Sequence, residues 1–119
     1  MSTRAQVRFA TREEGVSFNE HPDKIHAQFY VHHDGYPEGL GLDIATSYAD
    51  RVKLSKGWEI EHVQTIHSDL DYIYYIWSDY DKGTWISIFE TIPFDDQVGE
   101  CIFVGKPNKL IAKYDKKRD

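Results

Sequence analysis

The chain is poor in the residues that carry most recognisable chemistry. It holds one cysteine in 119 residues, so no disulfide can form within it, and Cys101 in the short apolar run Glu100-Cys101-Ile102-Phe103-Val104 reads as a small packed side chain rather than a nucleophile. No apolar run approaches the roughly 20 residues that span a bilayer. The opening Met1-Ser2-Thr3-Arg4-Ala5-Gln6 has no apolar stretch of the kind that begins a secretion signal. A soluble, cytoplasmic protein with no membrane partner is the expectation. HExxH, CxxC, the calcium loop, GxSxG and the phosphate-cradling glycine patterns are all missing, so no cofactor is expected and a classical nucleotide enzyme is disfavoured. Internal repeats and low-complexity linkers are missing too, as befits one domain, 1–119.

What is present is acid and aromatic. Three Trp, eight Tyr and six Phe exceed what disordered chains carry. The formal net charge is −6. Setting aside the basic tail of Lys113, Lys116, Lys117 and Arg118 with its two acids, residues 1–112 hold 10 basic groups against 18 acidic ones. Such a body repels phosphate backbones, and the tail, flexible over 115–119, is too small to bind nucleic acid by itself. Direct nucleic-acid binding is disfavoured; an acidic DNA mimic has the correct sign but modest magnitude.

Period-2 alternation predicts strands over 5–10, 25–32, 58–66, 72–77, 84–92 and 100–104. Residues 11–24 hold no period and read as a long loop. Asp34-Gly35-Tyr36-Pro37 must turn the chain, and Pro37 suits the first position of a helix. From there Leu40, Ile44, Tyr48 and Val52 form a stripe about four turns long that ends before Gly57. Gly39 and Gly41 in its first turns suggest close approach of some backbone or ligand. A short helix over 107–114, with a strand as the alternative, closes the chain. The order ββαββββα, with a meander in the second half, predicts an α+β fold: a mostly antiparallel sheet with one long helix packed on one face.

The run Tyr30-Val31-His32-His33-Asp34-Gly35-Tyr36-Pro37-Glu38-Gly39, with Thr3-Arg4-Ala5 near the start, resembles a group of small proteins of phages, prophages and some bacteria. These open with a Thr-Arg-Ala strand and carry Tyr-x-His-x-Asp-Gly-Tyr-Pro-x-Gly at a strand-to-helix junction. The resemblance covers residues 3–45 and assigns no catalytic role. It implies a small intracellular protein of phage or mobile-element type, a kind that often acts by binding a host component.

Two functional readings follow. In the first, Tyr72, Tyr74, Tyr75, Trp77 and Trp85, flanked by Asp79 and Asp81, leave aromatic side chains on a sheet face that the single helix does not cover. That face would bind a protein partner or a second copy, forming a homodimer, with inhibition of a host factor as a specific form. In the second, Tyr30, His32, His33, Asp34, Gly35, Tyr36 and Pro37 form a small-ligand or metal-dependent enzyme site, completed by His62 or His67. His26 and His32 stand six residues apart on one strand, about 20 Å, too far for one ion. The carboxylate pairs Glu59 and Glu61, Asp69 and Asp71, and Asp79 and Asp81 read more simply as solvated edges or turns.

Overall fold

The computed structural model describes residues 3–11, 24–50, 58–65, 67, 69–78, 83–91 and 98–115. Six strands pair into one sheet, β1 (Ala5–Thr11), β2 (Lys24–Val31), β3 (Trp58–Glu61), β4 (Tyr72–Ser78), β5 (Thr84–Thr91) and β6 (Val98–Gly105), in the spatial order β3-β2-β1-β4-β5-β6. Among the described residues two α-helices, α1 (Leu42–Asp50) and α2 (Pro107–Tyr114), join this sheet in a single compact domain. The expected element order holds. The long loop 11–24 falls almost wholly outside the described residues, as does the tail beyond Asp115.

The sheet is mixed: the mostly antiparallel expectation holds for four of its five pairings and fails at the centre. β1 runs antiparallel to β2 but parallel to β4, with Val7 opposite Phe29 on one side and Tyr74 on the other. β2–β3, β4–β5 and β5–β6 are antiparallel. Strand three is shorter than expected and does not join the meander. It ends at Glu61, where a turn closes with the Thr65 N–H donating to the His62 carbonyl at 2.9 Å, and it pairs with β2 at the far edge. β3 is therefore parallel to β4, and the connection 62–71 must cross two strands to reach it.

The helical stretch opens as a π-helical turn, Pro37–Gly41, that runs directly into α1, and the remainder of the expected stripe, 51–56, lies outside the described residues. Its entry is a tight corner. Asp34 takes a left-handed φ of 57°, a region open to Asp at modest cost. The Gly35 N–H donates to the Thr3 carbonyl at 3.0 Å, so close to β1 that a Cβ there would stand 2.8 Å from that of Ala5. Pro37 occupies the first turn, where its missing N–H costs nothing. Leu40 then donates to the carbonyls of Asp34 and Tyr36, both at 3.0 Å. Where Gly41 passes over the sheet, the Tyr74 ring lies 3.5 Å from the position a Cβ would take. The close neighbours expected at these glycines are thus the chain itself.

The first sheet face, under the helices, buries Ala5, Val7, Phe29, Val31, Tyr74, Ile76, Ile86 and Ile88 against Leu40, Ile44, Ala45 and Leu110. Each buried Val, Leu, Ile or Phe among them contributes roughly 1.5–3 kcal/mol. The second face is closed as well, and this corrects the open aromatic face. Tyr75 and Trp77 are only 1% and 2% exposed, and they pack with Ile73, Phe89 and Ala10 inside a ring of Ile25, Leu70, Trp85, Cys101 and Val104. Trp77 stacks on Trp85 at 5.3 Å and donates its indole N–H to the Ser87 hydroxyl at 2.8 Å. A strand apolar on both faces is a central strand with cover on both sides.

The Tyr74 hydroxyl ties the corner to the sheet by donating to the Gly35 carbonyl at 2.6 Å in a buried setting. Tyr74→Phe leaves that carbonyl without this donor and is expected to lower unfolding free energy by about 1–3 kcal/mol. Gly35→Ala, through the Ala5 contact, is expected to cost about 1–3 kcal/mol. Urea titration of both variants checks the pair.

Candidate functional site

The strand register sets a polar half beside the aromatic half of the second face. One transverse row runs Glu61, Gln28, Arg8, Tyr75, Ser87, Val104, and the next runs Glu59, Tyr30, Gln6, Ile73, Phe89, Cys101. Each row passes from carboxylate at the β3 edge to apolar or weakly polar side chains at β6. Alternation along β1 and β2 puts Gln6, Arg8, Gln28 and Tyr30 on this face because Val7, Phe29 and Val31 occupy the other.

The described residues of the crossing segment lie against these polar side chains. The Gln6 Nε2 donates to Glu61 Oε1 at 3.0 Å and to the Thr65 carbonyl at 3.1 Å. The Gln28 Nε2 donates to the same two oxygens, both at 3.0 Å, and to the His62 carbonyl at 3.3 Å. Both amides are fully buried, so each needs these acceptors. Arg8 donates to the Tyr75 hydroxyl at 2.7 Å and to Gln6 Oε1 at 2.9 Å. The three acceptors around Gln28 Nε2 orient its amide, and among the described residues its Oε1, like Arg8 Nε, is buried without a hydrogen-bond partner.

At the β3 end, two imidazole–carboxylate pairs flank Tyr30. His67 Nε2 lies 2.6 Å from Glu61 Oε2, and His32 Nε2 lies 2.9 Å from Glu59 Oε1. The His67 ring stacks on Tyr30 at 4.2 Å, and His32 meets the same ring edge-on at 4.5 Å. The Tyr30 hydroxyl donates to Asp69 at 2.9 Å, and Asp69 pairs with Arg4 at 3.3 Å. Burial first, and the Asp69 carboxylate second, push the Tyr30 phenol up to about 12.

These groups bind one another. Glu61 accepts from two amides and lies against an imidazole, and acid–base catalysis requires groups that converge on a substrate. Among the described residues no three His, Cys, Asp or Glu side chains come close enough to hold a metal ion. The junction residues do not converge either. Tyr30 and His32 sit within the flanked cluster, His33 and Tyr36 are exposed, and Asp34, Gly35 and Pro37 build the corner. His62 orients its own turn, its Nδ1 accepting from the Gln64 N–H at 3.1 Å.

Of the aromatic set, Tyr74, Tyr75 and Trp77 are buried, Tyr72 and Trp85 are half-buried, and Asp79 and Asp81 lie outside the described residues. Gln6, Arg8 and Gln28 were not singled out by sequence; a polar side chain on an alternating strand looks solvent-facing until its partners across the fold are known. A separate cleft of about 270 Å³ lies at the C-terminal ends of β1 and β4, lined by Phe9, Ala10, Thr11, His26, Ile76, Trp77 and Thr84. Its polar groups are two hydroxyls and one imidazole, and Thr11 Oγ1 and His26 Nε2 already meet at 2.6 Å. No family model matches this sequence, and neither does any curated protein or any solved structure.

Glu61→Ala removes an acceptor from two buried amides and is expected to destabilise the domain on the order of 3 kcal/mol. Hydrogen exchange should speed up first at 62–71, ahead of the helix-covered face. The raised Tyr30 pKa favours the neutral phenol in the folded chain. Between its ordinary 10.0 and about 12 the unfolded chain gives up a proton that the folded chain keeps, so stability falls as pH rises through that window. Urea midpoints measured across it should fall less steeply for Tyr30→Phe.

Proposed function

We propose that the chain is a small non-enzymatic binding protein that acts by protein–protein interaction. The observation that carries this reading is the outer strand β3, where Ile60 is 75% exposed at the edge of the sheet. Among the described residues its outer edge presents unpaired backbone N–H and C=O groups, and such an edge is a template for pairing with another chain. The carboxylates and imidazoles beside it are engaged with one another, which argues against an enzyme built on the His-His-Asp-Gly-Tyr-Pro corner. The aromatic layer stabilises the core, so contact through β3 replaces contact through Tyr74 or Trp77. The resemblance of residues 30–39 to phage and prophage proteins supports a cytoplasmic role of mobile-element type, with inhibition of a host factor as its specific form. Among the described residues no helix is long and apolar enough to cross a membrane.

The test is affinity capture from a lysate of the host cell by the purified chain and by Ile60→Lys. A stoichiometric partner held by the natural chain and lost by Ile60→Lys, with an unchanged melting temperature, is the expected result. A chain that retains no partner contradicts the reading, and so does one whose partner is indifferent to Ile60.

A further inference from the structure

The two edges of the sheet are treated differently. β6 is long, but its pairing with β5 shifts register between Ile88 and Phe89 and again between Phe89 and Thr91. Lys113 of α2 also reaches over it, donating to the Ile102 carbonyl at 3.0 Å. A bulge and a lysine are two standard means by which a sheet discourages further pairing. β3 has neither. It pairs with β2 in unbroken register from Trp58 opposite Val31 to Glu61 opposite Gln28, and among the described residues no strand lies outside it.

Alternation fixes what a strand added to β3 would meet. Ile60 points to the helix side, half-buried Trp58 lies on the same side and packs on Phe29 at 5.7 Å, and Glu59 points to the other, 2.9 Å from His32 on its inner flank but with its side chain still 68% exposed. A second copy fits poorly. The two-fold pairing that sets Ile60 opposite Ile60 sets Glu59 opposite Glu61 of the other copy twice over, and the pairing one step along sets Glu59 opposite Glu59. Like charges directly opposite are destabilising. With a net charge of −6, the chain also repels its own copies and draws a basic partner.

We infer that β3 is a strand-addition site for an extended basic segment of another protein, one that places a Lys or Arg opposite Glu59 and apolar side chains opposite Ile60 and Trp58. The inference rests on the binding reading above and names the partner's chemistry. Main-chain bonds supply affinity in this mode, and alternate side chains supply selectivity.

The test uses the full chain and a capped peptide probe, Thr-Lys-Val-Lys-Val-Thr, with binding followed by amide chemical shifts. The expected result is saturable binding with shifts centred on 58–61. Binding should weaken about tenfold or more for Glu59→Lys and for Ile60→Lys, and should vanish for a probe N-methylated along one edge. The glutamate analogue of the probe should bind Glu59→Lys better than the natural chain. Binding indifferent to N-methylation or to Glu59 reversal overturns the inference, as does no binding at millimolar probe. Light scattering that gives a dimer lost in Ile60→Lys also overturns it, since a second copy then occupies the edge. Failure here together with an Ile60-dependent captured partner removes strand addition alone; loss of both removes the binding reading.

Discussion

The parallel contact between β1 and β4 is the constraint from which the rest of the molecule follows. Antiparallel neighbours can be joined by a tight turn, whereas parallel ones need a connection that crosses the sheet. The connection from β3 to β4, 62–71, has to pass β2 and β1 because that pairing sets β1 beside β4, and it brings the His62 and Thr65 carbonyls against the polar half of the second face. Gln6 and Gln28 meet those carbonyls. Their buried amides hold the Thr65 carbonyl and the Glu61 carboxylate together, so the segment that must cross is also fixed in place. A hydrogen-bonded amide in a low-dielectric setting is stronger than in water, and costlier if its partner is lost.

The other face solves a different problem with the same economy of parts. A left-handed Asp34, a glycine pressed on Ala5 and a proline at the first helical turn aim the helical segment across the sheet. Tyr74 then holds the corner from below through its hydroxyl. Burial in that position drives the Tyr74 phenol upward in pKa, so it stays a neutral donor. A motif that looks like a functional turn is in this way accounted for by packing, and the chemistry-bearing residues around it are spread over separate tasks.

Most elements were legible in the sequence because their signals are local. Alternation marked β1, β2, β4, β5 and β6, and Pro107 with Leu110, Ile111 and Tyr114 marked α2 within its observed bounds. Pairing was not legible, since nothing near Ala5 announces that it will lie beside Tyr72. The second face was misjudged for the same reason. Tyr75 and Trp77 pack with side chains of β1, β2, β5 and β6 and with Leu70 of the crossing, neighbours that only the strand pairing brings together. The polar cluster was hidden further, because Gln6 and Glu61 are ordinary surface residue types until their 3.0 Å contact is seen. The edge at Ile60 was also unread; strand three looked longer and interior to the meander.

The central claim is that the segment 62–71 lies across β1 and β2, clasped by two buried amides. The most direct measurement is the side-chain NH₂ resonances of Gln6 and Gln28 in the intact protein. The account predicts that both exchange slowly with water and show through-space contacts to Thr65 and Glu61. Amide protons that exchange at the rate of a free glutamine, with no contact to Thr65, would contradict it.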